Sequence, residues 1–169
     1  PLVAINPDGT LPYGQYLAGR DIPAGTYVLY ESDPVFYGNV DVRSDALNRY
    51  PSIKGQDTYS GRIYVTVSEG EYLTFRGDIA YPLEMAPPLE AGDRILRDGM
   101  YLVGTDIPAG TYKITAQNPL EGYYKIYSDA THRASSILRG GDLDVDKTIT
   151  VRDGQYFFIF GGSIEAQIP

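Results

Sequence analysis

Apolar and polar residues alternate with a period of two over several short stretches of this chain. In residues 26–30 (TYVLY) and 111–115 (TYKIT), a tyrosine is followed two positions later by an aliphatic residue. Residues 65–67 (VTV) and 149–151 (ITV) have the same spacing. Successive side chains of a strand point to opposite faces, so this pattern predicts half-buried β-strands. No window of about 11 to 18 residues has helical spacing, and we expect an all-β fold.

Several blocks of sequence occur twice, in the same order and at nearly constant spacing. The offset is 85 residues for the first block and 84 for the other two. The matched pairs are YLAGRDIPAGTY (16–27) with YLVGTDIPAGTY (101–112), SDALNRYPSI (44–53) with SDATHRASSI (128–137), and VTVSEGEY (65–72) with ITVRDGQY (149–156). This self-similarity indicates a tandem duplication.

The duplication also predicts the buried positions and the domain limits. Strand positions that stay apolar in both copies are expected to face the core: Tyr27/Tyr112, Leu29/Ile114, Val40/Tyr124, Val42/Ile126, Val65/Ile149, Val67/Val151, Leu73/Phe157 and Phe75/Ile159. Between the copies, residues 81–93 (YPLEMAPPLEAGD) are proline-rich and without period, which is typical of a linker. We predict two small β-sandwiches or flattened barrels, residues 1–84 and 85–169.

The shared DIPAGTY phrase has the chemistry of a chain reversal. Pro23 fixes φ at the second turn position, Gly25 relieves the fourth, and Asp21 is placed to bond free amides of the turn. A structural role is therefore favoured over a binding role. Glu69-Gly70 and its counterpart in the second copy predict tight hairpins, and the SDAxxR phrase predicts a short helical turn.

The repeated phrase G-x-Y-L-x-G-x-D-I-P-A-G-T-Y, followed by V-x-x-G-x-Y, resembles a repeat of secreted proteins and lipoproteins of Gram-positive bacteria. The resemblance covers residues 11–77 and 96–161. It implies a cell-surface or secreted location outside the cytoplasm, and no particular activity. A lipoprotein of this kind carries an acylated cysteine, and because this chain has none, a lipid anchor would lie outside it.

Composition narrows the classes of partner. The net charge of −8 argues against nucleic acid, and the absence of cysteine excludes disulfides, thiolate zinc sites and a cysteine nucleophile. No apolar run approaches the roughly 20 residues that span a bilayer, so no membrane span is predicted. No cofactor is predicted either.

The single histidine invites a catalytic interpretation, which the local pattern disfavours. His132 lies beside Ser128 and Asp129, whereas a triad needs its members delivered from separate parts of a fold. Asn48 stands at the equivalent position of the first copy. We therefore expect a surface-loop histidine and a protein that is not an enzyme.

Three aspartates in the second copy have a spacing that suits calcium. Asp142, Asp144 and Asp146 alternate along one loop, but Lys147 stands where a calcium loop has glycine. A solvated acidic loop or edge strand is favoured over a calcium site.

The chain contains 16 tyrosines and no tryptophan. Tyr64, Tyr123 and Tyr127 fall on strand faces that we predict to point outward, where tyrosine stacks on sugars or anchors an interface. The favoured interpretation is that these rings cover the second face of a sheet, because tyrosine is a normal strand residue. Tyr123, Lys125 and Tyr127 form the candidate ligand face, with a cell-wall glycan or a surface protein as partner.

Two hypotheses for function follow. The first is a non-catalytic module, binding or structural, of the cell envelope. The second is an accessory carbohydrate-binding pair of a larger cell-wall or polysaccharide enzyme.

Overall fold

The structure is a computed structural model that describes residues 5–31, 37–89 and 96–164, without the side chains of residues 77 and 78. The all-β prediction is confirmed: the regular structure consists of strands and three short 3-10 turns. The chain forms two compact units, residues 1–87 with 130–136, and residues 88–129 with 137–169. Within the described ranges, no helix is long and apolar enough to cross a membrane.

The described residues of the first unit form six strands. They are β1 (Leu11–Leu17), β2 (Gly25–Glu31), β3 (Gly38–Arg43), β4 (Ile53–Tyr59), β5 (Arg62–Val67) and β6 (Tyr72–Pro82). β1 pairs along β6 from Tyr72 to Ala80, the beginning of β6 also pairs with β3, and β3 pairs with β4. The end of β6 pairs with β2, which pairs with β5. The long strand β6 therefore links two groups of strands.

In the second unit, the part of the chain that the structure describes forms seven strands. They are β7 (Gly99–Leu102), β8 (Gly110–Ala116), β9 (Tyr123–Tyr127), β10 (Ile137–Asp142), β11 (Lys147–Val151), β12 (Tyr156–Phe160) and β13 (Gly162–Ile164). One sheet has the order β7-β12-β9-β10 and the other β11-β8-β13. Each of these pairings has a counterpart in the first unit. The single strand β6 of the first unit corresponds to two strands in the second unit. There β12 ends before Gly161 and β13 begins after it, and the φ of +72° at this residue favours glycine.

The predicted core positions are confirmed, because all sixteen of them are buried. In the second unit the two sheets pack face to face as a β-sandwich. Tyr101, Ile126 and Phe157 come from one sheet, and Tyr112 and Ile149 come from the other. Alternation along each strand thus correctly identifies the residues between the sheets.

Several positions predicted to point outward are also buried. Tyr64 is 2% exposed and Tyr127 is 0% exposed, and Val28 is buried as well. In the first unit, the Arg62 guanidinium lies over the Tyr64 ring at 4.7 Å and donates a hydrogen bond to its hydroxyl at 3.0 Å. The outward placement of Tyr64 and Tyr127 is therefore wrong, and their burial agrees with the favoured interpretation that these rings are covered.

The repeated DIPAGTY phrase forms a self-bonded reversal. The Tyr27 hydroxyl donates to the Pro23 carbonyl at 2.7 Å, and Tyr112 does the same to Pro108 at 2.7 Å. The Asp21 carboxylate accepts the Leu17 amide at 2.8 Å, four residues before it, rather than an amide of the turn. Burial, assisted by the charge of Glu84, raises the pKa of Tyr27 to about 12.

Two other turn predictions change in detail. Gly70 and Gly154 both have φ of +82°, as the predicted turns require. The flanking strands do not form hairpins, because β5 pairs with β2 whereas β6 begins between β1 and β3. In the SDAxxR phrase Asp45 and Arg49 form an ion pair at 3.9 Å, but the helical residues come later, at Tyr50–Ser52.

The predicted linker is partly ordered structure. Residues 81 and 82 belong to β6, since their backbone pairs with Val28 and Tyr27 of β2, and Leu83–Met85 form a 3-10 turn. Residues 90–93 of the predicted linker lie outside the described residues.

Candidate functional site

The candidate ligand face lies on β9, between β12 and β10. The Lys125 ammonium sits 5.1 Å from the centre of the Tyr123 ring and 5.7 Å from that of Tyr127. The Tyr123 ring also stacks on Phe158 at 5.7 Å and on Phe160 at 5.3 Å. The three predicted residues are therefore brought together around one cation. Tyr127 is fully buried, however, so only Tyr123 and Lys125 keep part of their surface accessible.

A groove of about 500 Å³ runs beside Tyr123 and Lys125 along β10. Gly140, Gly141 and Asp142 of β10 also line this groove. An aromatic ring, an ammonium group and a carboxylate on one groove can stack on a ring and hydrogen-bond to hydroxyl groups. Such a combination suits a polar cyclic ligand.

Two of the three aspartates considered for calcium have separate partners. The Asp144 carboxylate bonds to Lys147 at 3.2 Å, and this contact lowers the pKa of Asp144. Asp146 accepts the Ala116 amide at 3.0 Å, which lowers the pKa of Asp146, and pairs with Lys113 at 3.4 Å. Across the residues that the structure describes, no group of three carboxylate, histidine or cysteine side chains is placed to hold a metal ion.

His132 is the largest departure from the sequence prediction. Its side chain is fully buried in the first unit, and its backbone is left-handed with φ of +56°. Nδ1 lies 2.6 Å from the Asp57 carboxylate, and Nε2 lies 2.6 Å from the Tyr64 carbonyl oxygen. The prediction of a surface-loop histidine is therefore wrong.

The hydrogen bonds of His132 define its chemistry. A carbonyl oxygen only accepts hydrogen bonds, so Nε2 carries a proton and donates a hydrogen bond to the Tyr64 carbonyl oxygen. Nδ1 and the Asp57 carboxylate share the other bond, and both side chains are sealed from solvent. With both ring nitrogens engaged and no surface exposed, His132 anchors a chain segment rather than acting on a substrate.

The segment that His132 anchors is held in what we call the first-unit slot, formed by Gly55, Gln56, Asp57, Thr66 and Glu71. Two backbone amides of the slot point at the segment. Gln56 donates to the carbonyl of residue 132 at 3.2 Å, and Thr66 to that of residue 130 at 2.8 Å.

Two side-chain features complete the slot. Arg133 pairs with Glu71, which is buried. A Cβ on Gly55 would lie 2.2 Å from the Thr131 carbonyl oxygen, so only glycine permits this approach. In the sequence, Gly55 and Asp57 are the residues that could have indicated the slot. No local pattern links them to the loop around His132, which lies 75 residues from Asp57.

Comparison with known proteins gives no further assignment. No protein-family model matches the chain, and neither curated proteins nor solved structures match it.

Proposed function

We propose that this chain is a non-catalytic module, binding or structural, that works outside the cytoplasm at the envelope of a Gram-positive bacterium. The support for the location is the resemblance of both repeated phrases to secreted proteins and lipoproteins. The support for a non-catalytic role is the burial of the only histidine, which serves as a structural anchor.

We further propose that ligand contact occurs at the groove beside Tyr123. The observation that carries this is a half-buried ring held flat on Phe158 and Phe160, with the Lys125 ammonium above it. A ring held rigidly in this way loses little side-chain entropy when a ligand stacks on it. A cell-wall glycan, a peptidoglycan fragment or a surface protein with a polar ring fits this groove.

The test is retention on purified cell wall and on a glycan array. Tyr123→Ala and Lys125→Gln should each reduce retention about tenfold, the effect of losing one stacking or charged contact. Tyr50→Ala is the matched control, because Tyr50 is 82% exposed and lies in the first unit. Equal retention of wild type, Tyr123→Ala and Lys125→Gln, with equal melting temperatures, would exclude the groove as the contact.

The alternative is an accessory carbohydrate-binding pair of a larger enzyme. The stacked ring at the groove favours a sugar ligand in either case. The gene region around this chain separates the two: a lipid-attachment or sorting signal alone supports an envelope module, and a flanking catalytic domain supports the accessory pair.

A further inference from the structure

The second unit contains a counterpart of the first-unit slot. In the first unit, Gln56 is paired with Asp41 across β3 and β4, and Thr66 with Thr26 across β2 and β5. In the second unit, at the same alignment, Gly140 is paired with Lys125 and Thr150 with Thr111. Because the direction of an amide alternates with register, Gly140 and Thr150 point their N–H groups the same way as Gln56 and Thr66.

This region of the second unit is an open groove of about 240 Å³, which we call the second-unit slot. Its lining consists of Ile126, Leu138, Arg139, Thr150, Arg152 and Gln155. All six residues of β10 beside it are exposed, and among the described strands β10 pairs with β9 alone, so its other edge is unpaired there. An edge of this kind accepts an extended peptide through backbone hydrogen bonds.

The side chains of the two slots differ in charge. The first-unit slot carries Asp57 and Glu71 and holds the basic pair His132-Arg133. In the second-unit slot the equivalent positions are Gly141 and Gln155, which are uncharged.

The second-unit slot has instead gained two cations. Arg139 stands in place of Gly55, and Arg152 stands in place of Ser68. The Arg139 guanidinium lies across the slot and donates to the Thr150 carbonyl at 2.7 Å. A guanidinium so placed can exchange a neutral carbonyl for a carboxylate, which forms the stronger, bidentate bond.

We propose that the second-unit slot binds an extended peptide of a protein partner that carries acidic side chains. The amide of Thr150 donates to a carbonyl of the peptide, as that of Thr66 does in the first unit. The side chain of Arg139 excludes the close approach that Gly55 permits, so Gly140 does not take part. Arg139 and Arg152 pair with its carboxylates. The choice of an acidic peptide rests on charge complementarity with these two guanidinium groups, in a chain whose other slot is acidic and binds a basic segment.

Two blocked heptapeptides test the proposal. One has the sequence of residues 130–136 (ATHRASS), and the other replaces its basic pair with two glutamates (ATEEASS). Titration calorimetry should show the acidic peptide binding at least about tenfold more tightly, since each carboxylate–guanidinium pair is charge-assisted. NMR should place the largest amide shift at Thr150.

Variants identify the groups responsible. Arg139→Gln/Arg152→Gln should lose about tenfold in affinity for the acidic peptide, and Arg139→Glu/Arg152→Glu should reverse the preference. Arg97→Gln is the matched control: Arg97 is exposed in the same unit and does not line the slot. Melting temperatures of the variants should match that of wild type, because both arginines are exposed.

The proposal is overturned if the acidic peptide does not bind, if both peptides bind equally, or if citrate at equal charge competes as well as the peptide. It is also overturned if the amide of Thr150 does not shift. The proposal is independent of the groove beside Tyr123, and Tyr123→Ala should bind the acidic peptide as wild type does. A failure of either proposal can therefore be told from a failure of the other.

Discussion

The two slots share strand pairings and register, yet among the residues that the structure describes only the first holds a chain segment within its unit. The first-unit slot contains residues 130–136, fixed by two backbone hydrogen bonds and the His132–Asp57 pair. The second-unit slot is lined by Arg139 and Arg152 and is open. Backbone pairing in the two units has stayed the same while a few side chains changed what the edge strands can accept.

One glycine accounts for much of the difference. At Gly55 the approaching carbonyl of Thr131 occupies the space of a Cβ, so any side chain there displaces the segment. The equivalent Arg139 fills that space and bonds to β11 itself. Substitutions at the residues in which the two slots differ test this comparison.

The largest effect is expected from His132→Asn. Asparagine accepts a left-handed backbone and stands at the equivalent position 48 of the first copy, so the variant changes the anchor without straining the chain. Removing one partner of a buried pair should lower the free energy of unfolding by about 3 kcal/mol. Urea unfolding measures this loss, and amide exchange of Gln56 and Thr66 should accelerate.

The reciprocal variant Asn48→His is the control and should leave unfolding unchanged, because Asn48 is exposed. Adding Asp57→Asn to His132→Asn should recover part of the lost stability, since no buried carboxylate then remains. Unchanged exchange at Gln56 and Thr66 in His132→Asn would show that the pair does not hold the segment.

A smaller effect is expected from Gly55→Ala. The new methyl group would overlap the Thr131 carbonyl oxygen, and overpacking of this kind costs about 2 kcal/mol of unfolding free energy. Arg139→Ala at the equivalent position should change unfolding by less than about 0.5 kcal/mol, because the residue is exposed. Equal losses for the two variants in urea unfolding would contradict the contrast between the slots.

The smallest effect is expected where the units agree. Tyr27→Phe removes the hydrogen bond to Pro23 and should cost about 1 kcal/mol at pH 8, and Tyr112→Phe should cost a similar amount. Burial also raises the pKa of Tyr27 to about 12, above the value of about 10 in the unfolded chain.

A pKa that is raised on folding gives stability that is complete below pH 10 and is lost as pH rises towards 12. The difference between wild type and Tyr27→Phe should therefore shrink between pH 8 and pH 11 in urea unfolding followed by circular dichroism. A difference that is constant over this range would show that Tyr27 does not titrate with folding.

The strands and their inner faces could be predicted because that information is local. Each strand alternates along its own length, and comparison of two copies identifies the positions that must stay apolar, such as Leu29 and Ile114. The turn at Gly70 could be predicted in the same way, because glycine adopts a positive φ without steric cost. The pairing partners of β5 and β6 could not be predicted, because the residues of a turn do not determine which strands pair with the two strands it connects.

The candidate ligand face was predicted in part. The sequence placed Tyr123, Lys125 and Tyr127 on one side of a strand, and the structure gathers them around one ammonium group. The exposure of each ring depends on what covers that side of the sheet, so the burial of Tyr127 did not follow from alternation. Phe158 and Phe160, which support Tyr123, come from a different strand.

The sequence by itself determined that this chain is all-β, which residues lie between its sheets, and where its glycines turn the backbone. These properties arise from side-chain alternation and from conformational preferences of single residues. Only the tertiary structure decided that His132 is an anchor, that Gly55 is a docking point and that Arg139 lines an open slot. Each of these depends on contacts between residues far apart in the chain, and such contacts leave no periodic trace in the sequence.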